Sequence, residues 1–199
     1  MKRVLCAVLG LMLVLGLGAC FKTGIGDPEK SKVDAALIGA WKVQAKEGEA
    51  GKDQFWLVRK FDERAYFVQS FEVEHRETGK TLGVLSFKGW LTTLEGQQFL
   101  VLENLNDSVY YDPDGNGVDF FISKIAINKN EVVTQDVNAM AEPLKNIAER
   151  GALEKAIAAN IGNNAIYGQE KKQYVRATKD EIAMINKLKG AMTRGDLRP

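Results

Sequence analysis

The chain reads as a mainly β protein: an antiparallel barrel or half-barrel of about eight strands, with a helical insertion before the last strand and a short C-terminal helix. Three observations predict this. Between residues 38 and 138, short runs alternate apolar and polar residues with period two. Brief turn-rich links join these runs, too short for the crossover that parallel pairing requires. The period changes to helical spacing only after residue 141. So many short strands have edges to hide, and closing the sheet on itself removes them.

In order, "GAWKVQAK" (39–46) sets Trp41, Val43 and Ala45 on one face against Lys42, Gln44 and Lys46. Turn-rich "EGEAGKD" leads to "FWLVRKF". In "AYFVQSFEVEH", Phe67, Phe71 and Val73 lie opposite Tyr66, Ser70 and Glu72. After the turn "RETGK", "LGVLSFKGWL" sets Leu85, Phe87 and Leu91 against Ser86, Lys88 and Trp90. "EGQQ" turns into "FLVLEN", and "GVDFFISKIAI" and "EVVTQDV" flank "NKN" as a hairpin. Residues 141–161 carry Leu144, Ile147, Leu153, Ile157 and Ile161 near helical spacing, with Pro143 near the first turn and Gly151 expected to kink or split the helix. "KQYVRAT" is the last strand. Thr178 and Glu181 then stand in capping-box spacing at the head of a helix expected to end at Gly190.

The first residues are of another kind. Lys2 and Arg3 precede an uncharged, mostly apolar run from Val4 to Phe21, the layout of a secretory signal peptide. A retained membrane anchor is the alternative, since the run just reaches the length at which spanning begins. Leu17-Gly18-Ala19-Cys20 resembles the lipobox of bacterial lipoproteins. The resemblance implies acylation of the Cys20 thiol by diacylglyceryl and palmitate-type chains. It also implies cleavage before Cys20, removing 19 of 199 residues and Cys6 with them, and leaving a 180-residue mature chain. Acyl chains contribute about 0.8 kcal/mol per buried methylene, so two or three make a stable anchor. Phe21 and Lys22 after the cysteine, with no Asp, imply the outer membrane of the bacterial cell envelope, facing the periplasm. The expected divisions are a signal peptide 1–19, a lipidated tether 20–33, one β domain 34–190 with its helical segment 141–161, and a tail 191–199.

Composition narrows the function classes. The 27 Lys and Arg balance 26 Asp and Glu without a basic block, so no nucleic-acid partner is expected and membrane attachment would rest on the lipid. With Cys6 removed and Cys20 acylated, neither a disulfide nor a cysteine-based centre is available.

Gly39-Ala40-Trp41 resembles the G-x-W start of lipocalin-like barrels. The resemblance implies that Trp41 plugs the closed end and that a basic residue of the last strand, here Arg176, lies over its ring as a cation–π contact. The T-D-Y-type second motif of standard lipocalins is missing. "FKGWLTTLEGQQFLVLE" resembles a group of bacterial proteins of unknown activity with lipocalin-like half-barrels. Neither likeness carries a catalytic motif, and a fold transfers no function.

Asp112, Asp114 and Asn116, followed by Gly117, match the opening of a calcium loop. Ser123 stands where the bidentate Glu belongs, however, and Asp119 where an apolar residue packs, so the stretch reads as a solvated turn, with a weak calcium site as the alternative. His75 is the only histidine, and the strand period turns Glu72 and Glu74 away from it. No nucleophile elbow, phosphate loop or zinc-protease motif occurs. No metal, cofactor or enzymatic activity is therefore expected. Trp41, Phe55, Trp56, Phe67, Phe71, Phe87, Trp90 and Phe99 are expected to pack the core, or else to line a cavity for an apolar ligand. Tyr110 and Tyr111 would form a rim or a capped strand end. Two functions follow: a membrane-anchored lipoprotein binding a small hydrophobic molecule such as a lipid or fatty acid in its cup, or an envelope interaction or assembly scaffold without a small ligand.

Overall fold

In the computed structural model, residues 21–44, 52–74, 80–105 and 120–193 are described. Eight strands close into one antiparallel barrel in sequence order: β1 Gly39–Val43, β2 Lys52–Lys60, β3 Tyr66–Glu74, β4 Lys80–Leu94, β5 Gln97–Asn104, β6 Phe120–Asn128, β7 Glu131–Val137 and β8 Tyr167–Arg176. Pairing of Trp41 with Arg176, Lys42 with Val175 and Val43 with Tyr174 closes it. The expected barrel is thus observed, consistent with a lipocalin-like architecture. Glu95 and Gly96 turn β4 into β5 with φ of 48° and 75°, the left-handed pair that a two-residue hairpin demands.

One buried cluster occupies the barrel interior, including Leu37, Trp41, Val58, Tyr66, Val68, Phe87, Leu100, Leu102, Ile125, Val132 and Tyr174. The walls are buried outside as well. Helix α1 (Arg150–Ala159) and the segment Phe21–Ile25 cover β4–β7 over Trp90, Phe99, Val101 and Ile122. Helix α2 (Lys179–Thr193) seats Ile185 against Phe55, Phe71 and Val73. Strand β3 therefore buries both faces, with Tyr66 and Val68 inside and Phe71 and Val73 beneath α2. On β4 the alternation holds, but Trp90 on the outer face is only 2% exposed. Its indole N–H donates to the Ile25 carbonyl at 2.8 Å.

Residues 21–26, which fall within the expected tether 20–33, pack on the barrel wall. Phe21 exchanges two 2.9 Å backbone hydrogen bonds with Phe120, Ile25 is fully buried, and the Gly26 N–H donates to Glu154 at 2.7 Å. A Cβ on Gly24 would press within 2.9 Å of Trp90, so only glycine lets the chain lie this close.

The helical segment expected over 141–161 is shorter. Leu144 and Lys145 close isolated turns on the Ala141 carbonyl, and Asn146 adopts a left-handed φ of 62° that no helix continues through. The helix starts at Arg150, where the Glu149 carboxylate accepts from the Gly151 and Ala152 N–H groups. Gly151 therefore sits in its first turn and does not kink it. Leu153 and Ile157 face the barrel as their spacing predicts. Helix α2 has the expected capping box: Thr178 N–H donates to Glu181 at 2.8 Å, and Glu181 N–H to the Thr178 hydroxyl at 3.3 Å. It runs through Gly190 to Thr193, beyond the expected stop.

Candidate functional site

The two ends of the barrel differ in chemistry. At one end, register sets Arg176 beside Trp41. The guanidinium carbon lies 3.8 Å from the indole ring centroid. Nη1 donates to the Ile38 carbonyl at 2.7 Å and Nη2 to the Ala36 carbonyl at 2.8 Å. Gly39, at φ 143°, leaves room for this group, since a Cβ there would collide with Nη1. The Trp41 N–H donates to the Leu37 carbonyl at 2.8 Å. Tyr66 accepts from the Asp34 N–H at 2.5 Å, and burial pushes its phenol up to about 12. Gly39, Trp41 and Arg176 thus come together in one packed floor.

The opposite end of the barrel, termed the mouth, is built from the first residues of β2, β4 and β6 and the last of β3, β5 and β7. Inward-facing Val43, Trp56, Ser70, Leu85 and Phe121 become half-buried here, in contrast to the fully buried side chains below. Trp56 lies 4.3 Å from Tyr174, and Phe121 meets Phe87 edge-on at 5.7 Å, centroid to centroid. One side of the mouth is polar. The Ser123 hydroxyl donates to Asp136 Oδ1 at 2.7 Å, and Lys172 Nζ donates to Asp136 Oδ2 at 3.2 Å. The Lys172 and Asp136 side chains remain 42% and 50% exposed, within reach of a polar group entering from solvent. Burial, reinforced by the Asp136 charge, raises the Tyr174 phenol beneath this trio well above its usual range.

Neither the Trp56–Tyr174 pair nor the Ser123–Asp136–Lys172 trio was anticipated from sequence. The available signal was a polar residue at an inward position in each of "FISKI" and "VTQDV". Of the aromatic residues expected to pack the core or line a cavity, Trp41, Trp56 and Phe87 point inward, while Phe55, Phe71, Trp90 and Phe99 lie beneath the outer coverings. A separate cleft of about 500 Å³ lies outside the barrel, lined by Asp27, Lys30, Asp34, Leu91, Thr92 and Gln98 among others. Its mixed charges and polar lining do not suit an apolar ligand.

Cys20, His75, Tyr110, Tyr111, Asp112, Asp114 and Asn116 lie outside the described residues. Among the described residues no three His, Cys, Asp or Glu side chains gather as a metal site, and no helix is long and apolar enough to cross a membrane. Comparison with models of known protein families, with curated proteins and with solved structures finds no match.

Proposed function

We propose that this protein is a bacterial envelope lipoprotein, acylated on Cys20, that binds a small amphipathic molecule of the lipid or fatty-acid class in the mouth of its barrel. The observation that carries the ligand reading is the mouth lining: half-buried Trp56, Leu85 and Phe121 face inward beside Ser123, Asp136 and Lys172. An apolar tail gains from leaving water against the first group, and a polar head finds donors and an acceptor in the second. The packed floor limits how deep the tail goes, so the ligand occupies the upper half of the barrel only. The lipobox-like Leu17-Gly18-Ala19-Cys20 supports the anchor.

Titration of the purified protein with a long-chain fatty acid is expected to shift tryptophan emission saturably. The Trp56→Phe variant should lose most of that shift while keeping the signals of Trp41 and Trp90. A flat titration, together with native mass spectrometry finding no lipid on protein purified from its own host, overturns the ligand reading. A Cys20→Ser chain processed and fatty-acid labelled like the parent overturns the anchor.

A further inference from the structure

A lipoprotein domain on a long tether tumbles freely above its membrane, whereas one without slack is held in a definite attitude. Phe21, the residue bonded to Cys20, is 3% exposed and locked by two backbone hydrogen bonds to Phe120. The chain beyond it is pinned at Ile25 by Trp90 and at Gly26 by Glu154. Any acyl chains on Cys20 therefore start one peptide unit from the barrel wall.

The point of attachment lies at a particular end. Phe120 opens β6, and the other end of β6, Asn128, turns through the hairpin to Glu131, where the Lys129 carbonyl meets Arg176 of the floor. Eight steps along β6 at about 3.3 Å, reduced by strand tilt, set the two ends roughly 20 Å apart along the barrel axis. The anchor thus sits at the mouth end.

The surface there fits the same picture. Among the described residues, four large apolar side chains are strongly exposed. Two of these, Leu105 at 42% and Met140 at 60%, follow β5 and β7 at the mouth end. Phe61, at the floor end, carries the Lys88 ammonium over its ring, and Ile182 lies on α2.

We infer that the docked N-terminal segment holds the mouth of the barrel against the lipid surface, with the Trp41–Arg176 floor turned away, so that an amphipathic ligand passes between bilayer and mouth with little exposure to water. This rests on the acylation of Cys20 proposed above, and it deepens that reading by naming the bilayer as the ligand's source or destination.

The test uses the full acylated protein reconstituted in phosphatidylethanolamine/phosphatidylglycerol vesicles containing a headgroup-nitroxide lipid. With Cys6 removed by processing and Cys20 acylated, a Leu105→Cys or Lys129→Cys variant takes one thiol-reactive fluorophore, and both positions are exposed. The label at 105 is expected to be quenched several-fold more strongly than the label at 129. A flexible Gly/Ser linker of about ten residues inserted between Cys20 and Phe21 should erase the difference, because it restores free tumbling. Equal quenching, or stronger quenching at 129, overturns the orientation while leaving the lipoprotein reading intact. A difference that survives the linker overturns the docked segment as its cause. An N-terminal peptide without acyl mass overturns the lipoprotein reading itself, and the orientation with it.

Discussion

The floor and the mouth of this barrel are built from the same eight strands, yet they are packed in opposite ways. At the floor, connections are short, Trp41 and Tyr66 are fully buried, and the Arg176 guanidinium bonds two carbonyls while covering the indole. At the mouth, inward side chains remain half-buried and a carboxylate is shared by a hydroxyl and an exposed ammonium. The contrast teaches that burial and charge-assisted hydrogen bonding are concentrated at one end, while inward side chains at the other keep contact with solvent.

The sharpest way to break that contrast is to truncate a tryptophan at each end. Trp41→Ala removes a fully buried ring and leaves a cavity beneath Arg176. The expected loss is about 3–5 kcal/mol in urea unfolding. Trp56→Ala, on a half-buried ring, should cost about 1–2 kcal/mol, because less apolar surface returns to water. Equal losses would mean that the mouth is as well packed as the floor, and the division of labour would fail.

Arg176→Ala comes next. It removes charge-assisted hydrogen bonds to Ile38 and Ala36 and the cation over Trp41, leaving two carbonyls short of donors. The expected cost is about 2–3 kcal/mol by the same measurement. Arg176→Lys should recover only part of it, since an ammonium cannot reach both carbonyls from one plane.

How much of this was legible in the sequence depends on the range of the interactions. The strands, the Glu95–Gly96 turn and the Thr178–Glu181 cap follow from local spacing and were readable. Arg176 over Trp41 was readable only through a family resemblance, because nothing local links residues so distant in the chain. Strand β3 hid which of its faces was the interior, since both faces are apolar and both are buried. Phe21 and Ile25 were masked by the polar, glycine-rich stretch around them, yet two such anchors suffice to dock it. The Ser123, Asp136 and Lys172 trio comes from three strands and exists only once the barrel register is set.

A smaller effect depends on pH. Burial holds the Tyr66 phenol at about 12, while an unfolded tyrosine ionises near 10. Below pH 10 both states keep the proton and nothing changes. Between about 10 and 12 the unfolded chain releases a proton that the native floor retains, so stability falls as pH rises. Melting temperature should therefore decline across this window. Tyr66→Phe, which forfeits about 1 kcal/mol at neutral pH with the Asp34 hydrogen bond, should flatten the decline, with Tyr174 contributing what slope remains. An unchanged slope in Tyr66→Phe would remove this phenol from the account.

The smallest expected effect on stability tests the mouth most directly. Lys172 and Asp136 are well exposed, so solvent screens their attraction and Lys172→Ala should cost less than about 0.5 kcal/mol. Its effect on binding should be far larger than its effect on folding. If the ligand's head is anionic, losing Lys172 leaves only the Asp136 carboxylate to repel it, and affinity for a fatty acid should fall several-fold. Asp136→Asn should act in the opposite direction, freeing the ammonium for the ligand. The corresponding long-chain alcohol, uncharged, should respond weakly to either change. Titrating both ligands against both variants thus reads the charge of the head from opposed signs. A fatty acid bound equally by the parent and both variants would show that the tail alone is recognised.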